Sequence, residues 1–453
     1  MTAPAETPTN PTTNDLGRKL GLAAAVAIAV GTTVGSGIFS SLNAVAAAGG
    51  TALMLILGFA IGGLMQIPAN LVYAELSTAY PENGGNYVYL REAGSRPLAF
   101  LAGWISFWAT DPPSISIMAL AAVNYLGYLT GITGIWSKFV AVGLVLIFMA
   151  VHLRSVTGGG RLQTIITAVK IIPFVILIGV GLFYVTPDYY SQPAVAGAPL
   201  GLAALLAAVS ATTWSYDGMG AVTYMAGEIK RPEKTMPRAL IISVIVVMSL
   251  YVLLSTVAAG LLPIGKLADS DAPIADAVAA IPGIGSAAGV IVAIMAIVVV
   301  VGSLSSCIMY QPRMEYAMAK DQLFFRAFAK VHPKWETPYV SIIFQCALAI
   351  VLIFATDLVS LLGYFTLVQL LKNFITFATI FVLRRKPGYD PKWKMPMGYA
   401  MAGVAMFMTG TLIVSTFLWA PMAGLIAALV AIGTGLPAYY FWESRRRRER
   451  PAR

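Results

Sequence analysis

Runs of about twenty apolar residues, separated by short polar connections, recur from Gly21 to Trp442. Each is long enough to cross a hydrocarbon core roughly 30 Å thick. Their spacing predicts helices over 18–47, 50–76, 97–128, 135–153, 161–186, 200–228, 237–263, 284–312, 338–355, 358–383, 398–418 and 421–442. The pattern is that of an all-α polytopic membrane protein with about 12 transmembrane helices. No polar stretch is long enough for a second domain. The longest connections run from Pro81 to Pro97, from Lys266 to Pro282 and from Arg313 to Pro338.

Composition agrees with this pattern. Of 453 residues, 58% are hydrophobic and only 11% charged, against about 25% charged in an average soluble domain. The net charge of +10 would suit a nucleic acid, but its placement says otherwise. All but four of the 30 Lys and Arg lie in alternate connections or in the tails. They fall at Arg18 and Lys19, Arg91 and Arg96, Arg154 and Arg161, Lys230 to Arg238, Arg313 to Lys334, Arg384 to Lys394, and Arg445 to Arg453. This is the positive-inside distribution; it puts both termini in the cytoplasm and leaves no call for nucleic acid. Residues 1–16 are rich in Pro, Thr and Asn without an apolar signal region, and read as a disordered cytoplasmic tail. Residues 444–453 read as a basic cytoplasmic tail. The two cysteines, Cys307 and Cys346, both fall in apolar spans and form neither a disulfide framework nor a metal cluster. No GxxxxGK[ST], HExxH or GxSxG occurs, so no ATPase, catalytic site or cofactor is expected.

Two spans are not plain apolar helices. The first contains Gly31-Thr32-Thr33-Val34-Gly35-Ser36-Gly37, and the sixth contains Thr212-Thr213-Trp214-Ser215-Tyr216-Asp217-Gly218. Glycines with small hydroxyl residues weaken a helix and let the backbone unwind. Within a membrane, unwound backbone is tolerated only against protein or a water-filled cavity. Matching interruptions in two halves of a chain point to a transporter's binding site, and these lie five spans apart, as in a five-plus-five inverted repeat. Gly31 and Gly35 could instead form a small-xxx-small packing face. The third glycine, Gly37, and the matching break favour the site.

At these residues the sequence resembles the amino acid–polyamine–organocation superfamily of secondary transporters. The resemblance runs from about Leu16 to Arg385. It rests on Gly35-Ser36-Gly37-Ile38-Phe39, on Tyr73-Ala74-Glu75-Leu76 with Pro81-Glu82-Asn83-Gly84-Gly85-Asn86-Tyr87, and on Tyr216-Asp217-Gly218 with Gly227-Glu228-Ile229-Lys230-Arg231-Pro232. It implies a LeuT-type 5+5 inverted repeat with helices 1 and 6 broken. The ten-helix core would span 17–385, its repeats about 17–190 and 198–385, with two peripheral helices at 396–443. It further implies a multi-pass plasma-membrane carrier of L-amino acids, working by alternating access. Cys307, Gly220 and Thr33 point to small or medium neutral substrates. Cationic amino acids, polyamines or other amines are the alternative, and a substrate-sensing receptor on the same scaffold a remote one. A homodimer is compatible with the reading.

In such a site the backbone around Ser36 and Gly37, with the Ser36 hydroxyl, holds the substrate carboxylate, because N–H groups at a helix start attract anions. By resemblance, the carbonyls of Thr33, Trp214 and Asp217 receive the ammonium. Trp214 and Tyr216 line the pocket, Cys307 stands where some relatives carry tryptophan, and Gly31, Gly35 and Gly218 permit the breaks. Lys170 matches a helix-five lysine that fills the place of sodium, bridging a carbonyl near Gly35 to Ser303 or Ser306. That implies sodium-independent exchange or proton-linked transport. Asp111 and Lys372 also lie within spans, where ionisable groups demand a partner or a role. Asp111 either selects charged substrates, pairs with Lys372, or caps the double-proline bend. Lys372 either pairs with Asp111 or Asp217, or senses protons. His152 and His332 read as interfacial. Glu75, Glu228, Arg231 and Arg238 form a cytoplasmic gate or simply solvate helix ends.

Overall fold

The structure, a computed structural model, describes residues 16–35, 37–355, 358–419 and 422–449. Each expected span coincides with helix. The first is divided into α1 (Leu22–Thr33) and α2 (Gly37–Gly49), and the second is α3 (Ala52–Ala79). After α4 (Asn86–Glu92), the third consists of α5 (Arg96–Ile105), a π-helical turn (Ser106–Thr110) and α6 (Asp111–Thr130). Helices α7 (Ile135–Arg154) and α8 (Val156–Gly181) follow. The sixth span is α9 (Gly201–Ala211), the single turn α10 (Thr213–Tyr216) and a 3₁₀ segment (Met219–Tyr224). Then come α11 (Pro232–Leu261), α12 (Ile264–Asp269), α13 (Pro273–Ala279), α14 (Ala288–Tyr310) and α15 (Arg313–Lys320). The chain closes with α16 (Tyr339–Ala355), α17 (Leu358–Leu383), α18 (Gly398–Trp419) and α19 (Met422–Glu449). By length and composition, six helical stretches among the described residues could cross a membrane, with four shorter apolar helices beside them.

Two span ends shift. The fifth span stops at Gly181, not 186, where the chain turns through Phe183 and Tyr184 onto Val180 and Gly181. Helix α19 continues past the expected end of the twelfth span at 442 to Glu449, because Arg446 and Arg447 reach back one turn to Glu443. The three longest polar connections carry the short helices α4, α12 with α13, and α15.

Apolar side chains face both inward and outward. Ile147, Ile165, Leu206 and Phe407 are 59%, 61%, 62% and 77% exposed. A water-soluble protein does not expose apolar surface on this scale; a lipid-facing one does. The interior holds two main apolar clusters. One, built around Leu20, Tyr87, Ile229, Phe324 and Trp442, lies at the end where both chain termini gather. The other, around Phe39, Phe59, Phe174, Leu254 and Ile281, fills the opposite end. The α1 break lies between them, with Ala29 in the first cluster and Val30 in the second. Helix α3 reaches α9 and α10 through Gly58 and Gly62; a β-carbon at Gly62 would come within 2.2 Å of Thr212 Oγ1.

The end bearing the termini is stapled by polar contacts. The Lys19 and Leu20 N–H groups donate to Glu228 O at 2.8 and 2.9 Å, and Lys230 N–H returns to Leu20 O at 2.8 Å. Gly84 N–H donates to Tyr224 O at 3.0 Å, and Gly227 N–H to Asn83 Oδ1 at 3.1 Å. Beneath these, Arg313 grips the Glu228 carboxylate with two bonds of 2.8 and 3.0 Å, both side chains buried. Glu75, also buried, receives Arg384 (2.8 and 2.5 Å), the Tyr389 hydroxyl (3.0 Å) and Met395 N–H (2.9 Å). Glu75 and Glu228 are therefore ion-paired, whereas Arg231 and Arg238 are exposed. Removing one partner of a fully buried pair typically costs about 3–5 kcal/mol, because the other charge is stranded. Glu228→Ala is expected to lower the thermal unfolding temperature in detergent markedly. An unchanged melting curve would show that this pair does not hold the end together.

Candidate substrate-binding site

Helix α1 ends at Thr33, and Val34 N–H still reaches back to Val30 O at 2.8 Å. Beyond it no helical N–H remains to take the last carbonyls, which water cannot reach. A cation takes them instead. Lys170, fully buried on α8, directs its ammonium at Gly31 O, at Val34 O (2.6 Å) and at Ser303 Oγ on α14 (3.1 Å). The Ser303 hydroxyl itself lies 3.1 Å from Gly31 O and 3.2 Å from Val34 O. A positive group at a helix C-terminus is also favoured by the helix dipole. Gly302 lets the lysine stem pass, since a β-carbon there would come within 3.1 Å of Lys170 Cδ. Thr167 Oγ1 donates to Ala27 O at 3.0 Å, fixing α8 against α1 one turn earlier.

The sixth-span break lies directly on the first. Asp217 is extended after α10, and Gly218 has φ +116°, a region that disfavours any residue with a β-carbon. A β-carbon at Gly218 would also come within 3.2 Å of both Thr32 C and Thr33 N. The Gly218 N–H turns toward the Asp217 carboxylate. The Ser41 and Ser215 hydroxyls join α2 to α10 by a hydrogen bond. Thr32 Oγ1 and Ser306 Oγ lie 2.6 Å apart, and the Thr33 carbonyl accepts the Tyr251 hydroxyl at 3.3 Å.

A second polar region lies beside the breaks. The π-turn ends where α6 begins, with Asp111 in its first turn and Pro112 and Pro113 at positions that need no N–H donor. Thr110 Oγ1 donates to Asp111 Oδ1 at 3.0 Å, while Asp111 Oδ2 is buried without a partner. Lys372 on α17, also buried, donates to Ser106 Oγ at 2.9 Å and lies 5.8 Å from the Tyr224 ring centre.

Residues 20–435 match the profile of the amino acid permease family. The chain belongs to that family. Among its relatives is the serine/threonine exchanger SteT of Bacillus subtilis, 27% identical over 90% of this chain and 93% of that protein. The branched-chain amino acid permease BcaP of the same organism is 26% identical over 90% and 89% of the two chains. The methylthioribose transporter of Bacillus subtilis is 32% identical over 67% of each. A family member with these apolar helices is a multi-pass membrane transporter.

Within the permease, the expected residues separate into groups. Gly31, Thr33, Gly35, Lys170, Asp217, Gly218 and Ser303 converge on the two breaks. Ser306 bonds Thr32 rather than Lys170. Ser36 and the Trp214 side chain lie outside the described residues. Tyr216, expected to line the pocket, is buried and gives its hydroxyl to Phe59 O at 2.7 Å, its ring 5.1 Å from that of Tyr251. Its ring and hydroxyl pack against Phe59 and Tyr251. Cys307 likewise belongs to an apolar cluster with Ile117, Leu304 and Cys346. Lys372 takes Ser106, not the carboxylate of Asp111, as its hydrogen-bond partner. His152 lies in the last turn of α7 and is buried against the protein, with Nε2 at 3.0 Å from Ser305 Oγ. Sequence reasoning missed Ser106, Gln311 and Glu315. Ser106 is one serine in an apolar run, and Glu315 sits in a stretch that reads as a basic loop.

Substituting Lys170 by Met keeps the stem but withdraws the ammonium from two buried carbonyls. Each unsatisfied group costs about 1–3 kcal/mol. Lys170→Met is expected to melt well below the wild type in detergent, and equal melting temperatures would contradict this role.

Proposed function

We propose that the permease is a sodium-independent secondary transporter that moves small or medium neutral L-amino acids by alternating access. The carrying observation is the Lys170 ammonium lodged between the α1 break and Ser303 of α14. A fixed cation already occupies the place that a mobile one would fill. Transport then proceeds as exchange or with protons. Family membership supports a LeuT-type core of two inverted repeats over 17–385, and the distribution of Lys and Arg supports cytoplasmic termini. It also makes the chain a transporter and not an enzyme.

An amino acid presents a carboxylate and an ammonium at fixed spacing. The start of α2, at Gly37, bears the positive end of a helix dipole and suits the carboxylate. The carbonyls of Thr33, Trp214 and Asp217 suit the ammonium. The names of the serine/threonine exchanger and the branched-chain permease favour a neutral side chain. A second reading, transport of cationic amino acids or amines, draws on the unpartnered Asp111 Oδ2.

A thermal-shift screen of the purified chain against amino acids and amines, followed by radiolabelled exchange in proteoliposomes, separates these readings. Stabilisation and exchange by serine, threonine or a branched-chain amino acid is expected. Stabilisation by arginine or a diamine alone would replace the neutral reading. Replacing external sodium by choline is expected to leave uptake unchanged, and sodium-dependent uptake would overturn the role given to Lys170. Gly37→Val, whose side chain blocks approach to the backbone, is expected to lower uptake at least tenfold. Full activity in that variant would remove the carboxylate site from α2.

A further inference from the structure

Three ionisable residues from three different elements meet in the interior beside the helix-six break: Asp111 of α6, Glu315 of α15 and Lys372 of α17. They are 3%, 0% and 3% exposed. None of them satisfies another by a hydrogen bond. Asp111 Oδ1 takes the Thr110 hydroxyl, Glu315 Oε1 takes the Gln345 amide at 2.6 Å, and Lys372 gives to Ser106. Four buried acceptors are left over: Asp111 Oδ2, Glu315 Oε2, Gln311 Oε1 and Gln345 Oε1. Buried polar atoms in proteins are nearly always satisfied, so four unpaired acceptors in one region signal missing donors.

The surrounding charges sharpen this. The Asp217 carboxylate faces Lys372 from the break. Tyr224 of the 3₁₀ segment and Tyr310 of α14 bring only hydroxyls. Arg313, on the same helix as Glu315, is committed to Glu228. On α4, Arg91 is held by Asp321, Glu82 and Glu92. Helix α16 contributes Gln345 and carries no charge, and α14 has none between Ala288 and Tyr310. One ammonium therefore faces three carboxylates, Asp111, Asp217 and Glu315. Fully ionised, the group would hold two uncompensated negative charges away from water, a costly state that binding a proton relieves. A proton adds to a carboxylate, cancels one charge and supplies an O–H donor where acceptors outnumber donors.

We propose that Asp111, Glu315 and Lys372 form a proton-binding site through which the permease couples amino-acid movement to proton movement. One proton adds to the Asp111–Glu315 carboxyl pair, and the same proton leaves when the cluster opens to the other side. No bond of the substrate changes. Linkage to the substrate site runs through Asp217 and Tyr224, which flank the break and face the same cluster.

The proposal rests on the amino-acid transport reading, and its test keeps the two apart. The full chain is reconstituted in vesicles loaded with a pH-sensitive dye, with membrane potential clamped by potassium and valinomycin. Counterflow of radiolabelled L-serine, L-threonine, L-leucine and L-arginine is measured first; if none is exchanged, the transport reading fails and the coupling proposal with it. For an exchanged amino acid, the wild type is expected to acidify the lumen on its addition. An inward gradient of one pH unit is expected to drive accumulation of up to about tenfold for one proton per substrate. Glu315→Gln is expected to keep counterflow but lose both acidification and gradient-driven accumulation, and Asp111→Asn is expected to lose acidification. Counterflow without lumen acidification in the wild type overturns the proposal, as does undiminished acidification in either folded variant. Should neither variant fold, Glu315→Asp, which keeps a carboxylate, must restore folding and acidification together; folding without acidification counts against the site.

Discussion

A lysine ammonium held among the last carbonyls of an interrupted helix is the interaction on which the centre of this molecule depends. Breaking a helix inside hydrocarbon strands backbone groups that water would otherwise satisfy. Here the C-terminal end of α1 is answered by Lys170, whose three protons meet Gly31 O, Val34 O and Ser303 Oγ. The same contact fixes the register of α1, α8 and α14, since each contributes one side of it. Gly302 has no side chain because the lysine stem passes there, and Thr167 secures the preceding turn. The opening between α1 and α2 is thus stable and not a loosely frayed end.

The second break is supported differently. Gly218 bends the chain against Thr32 and Thr33, after which the backbone continues as a 3₁₀ segment and not as an α-helix. That segment runs into Met225 to Lys230, which Leu20 holds by backbone bonds, Asn83 by its side-chain oxygen and Arg313 by its grip on Glu228. The residues around the break are therefore continuous with the staple at the end bearing the termini. Any change of conformation at Asp217 and Gly218 must either carry that staple along or break its bonds. A change in shape of this kind is driven only by interactions that differ between the two states. Contacts of Thr32 and Thr33 with Gly218 on one side, and of Glu228 with Arg313 on the other, are where such differences arise.

Much of this was legible in the sequence, for a physical reason. Apolar length reports long helices directly, so each of the twelve expected stretches coincides with helix, with ends shifted by up to seven residues. Glycine clusters report where a helix is weak, which brought out Gly35, Gly37 and Gly218 before any coordinates. Lys170 stood out because a charge in an apolar run needs a partner. What could not be read was which way a side chain points. Tyr216 gives its hydroxyl to Phe59 O, and Cys307 lies in an apolar cluster with residues of α6, α7 and α16. Helices α4, α12, α13 and α15 were hidden because they are short, and neither length nor apolar periodicity marks them. The π-turn at Ser106 leaves no compositional trace, yet it sets Ser106 beneath Lys372.

The two buried lysines show how the same chemistry takes opposite characters. Around Lys170 the ammonium is fully engaged, and nothing titratable lies among its hydrogen-bond partners: the Gly31, Val34 and Val299 carbonyls and the Ser303 hydroxyl. Such a centre is complete as it stands, and its natural role is to hold. Around Lys372 the acceptors outnumber the donors, and the surplus lies on carboxylates and amides of α6, α15 and α16 and of Gln311, which caps α14. A partly satisfied network is costly in a low dielectric. It persists where filling and emptying the deficit is part of the work, because each filling shifts the relative stability of the arrangements around it. Satisfied polarity fixes one conformation; an unfilled deficit next to a hinge lets a small ion choose between two.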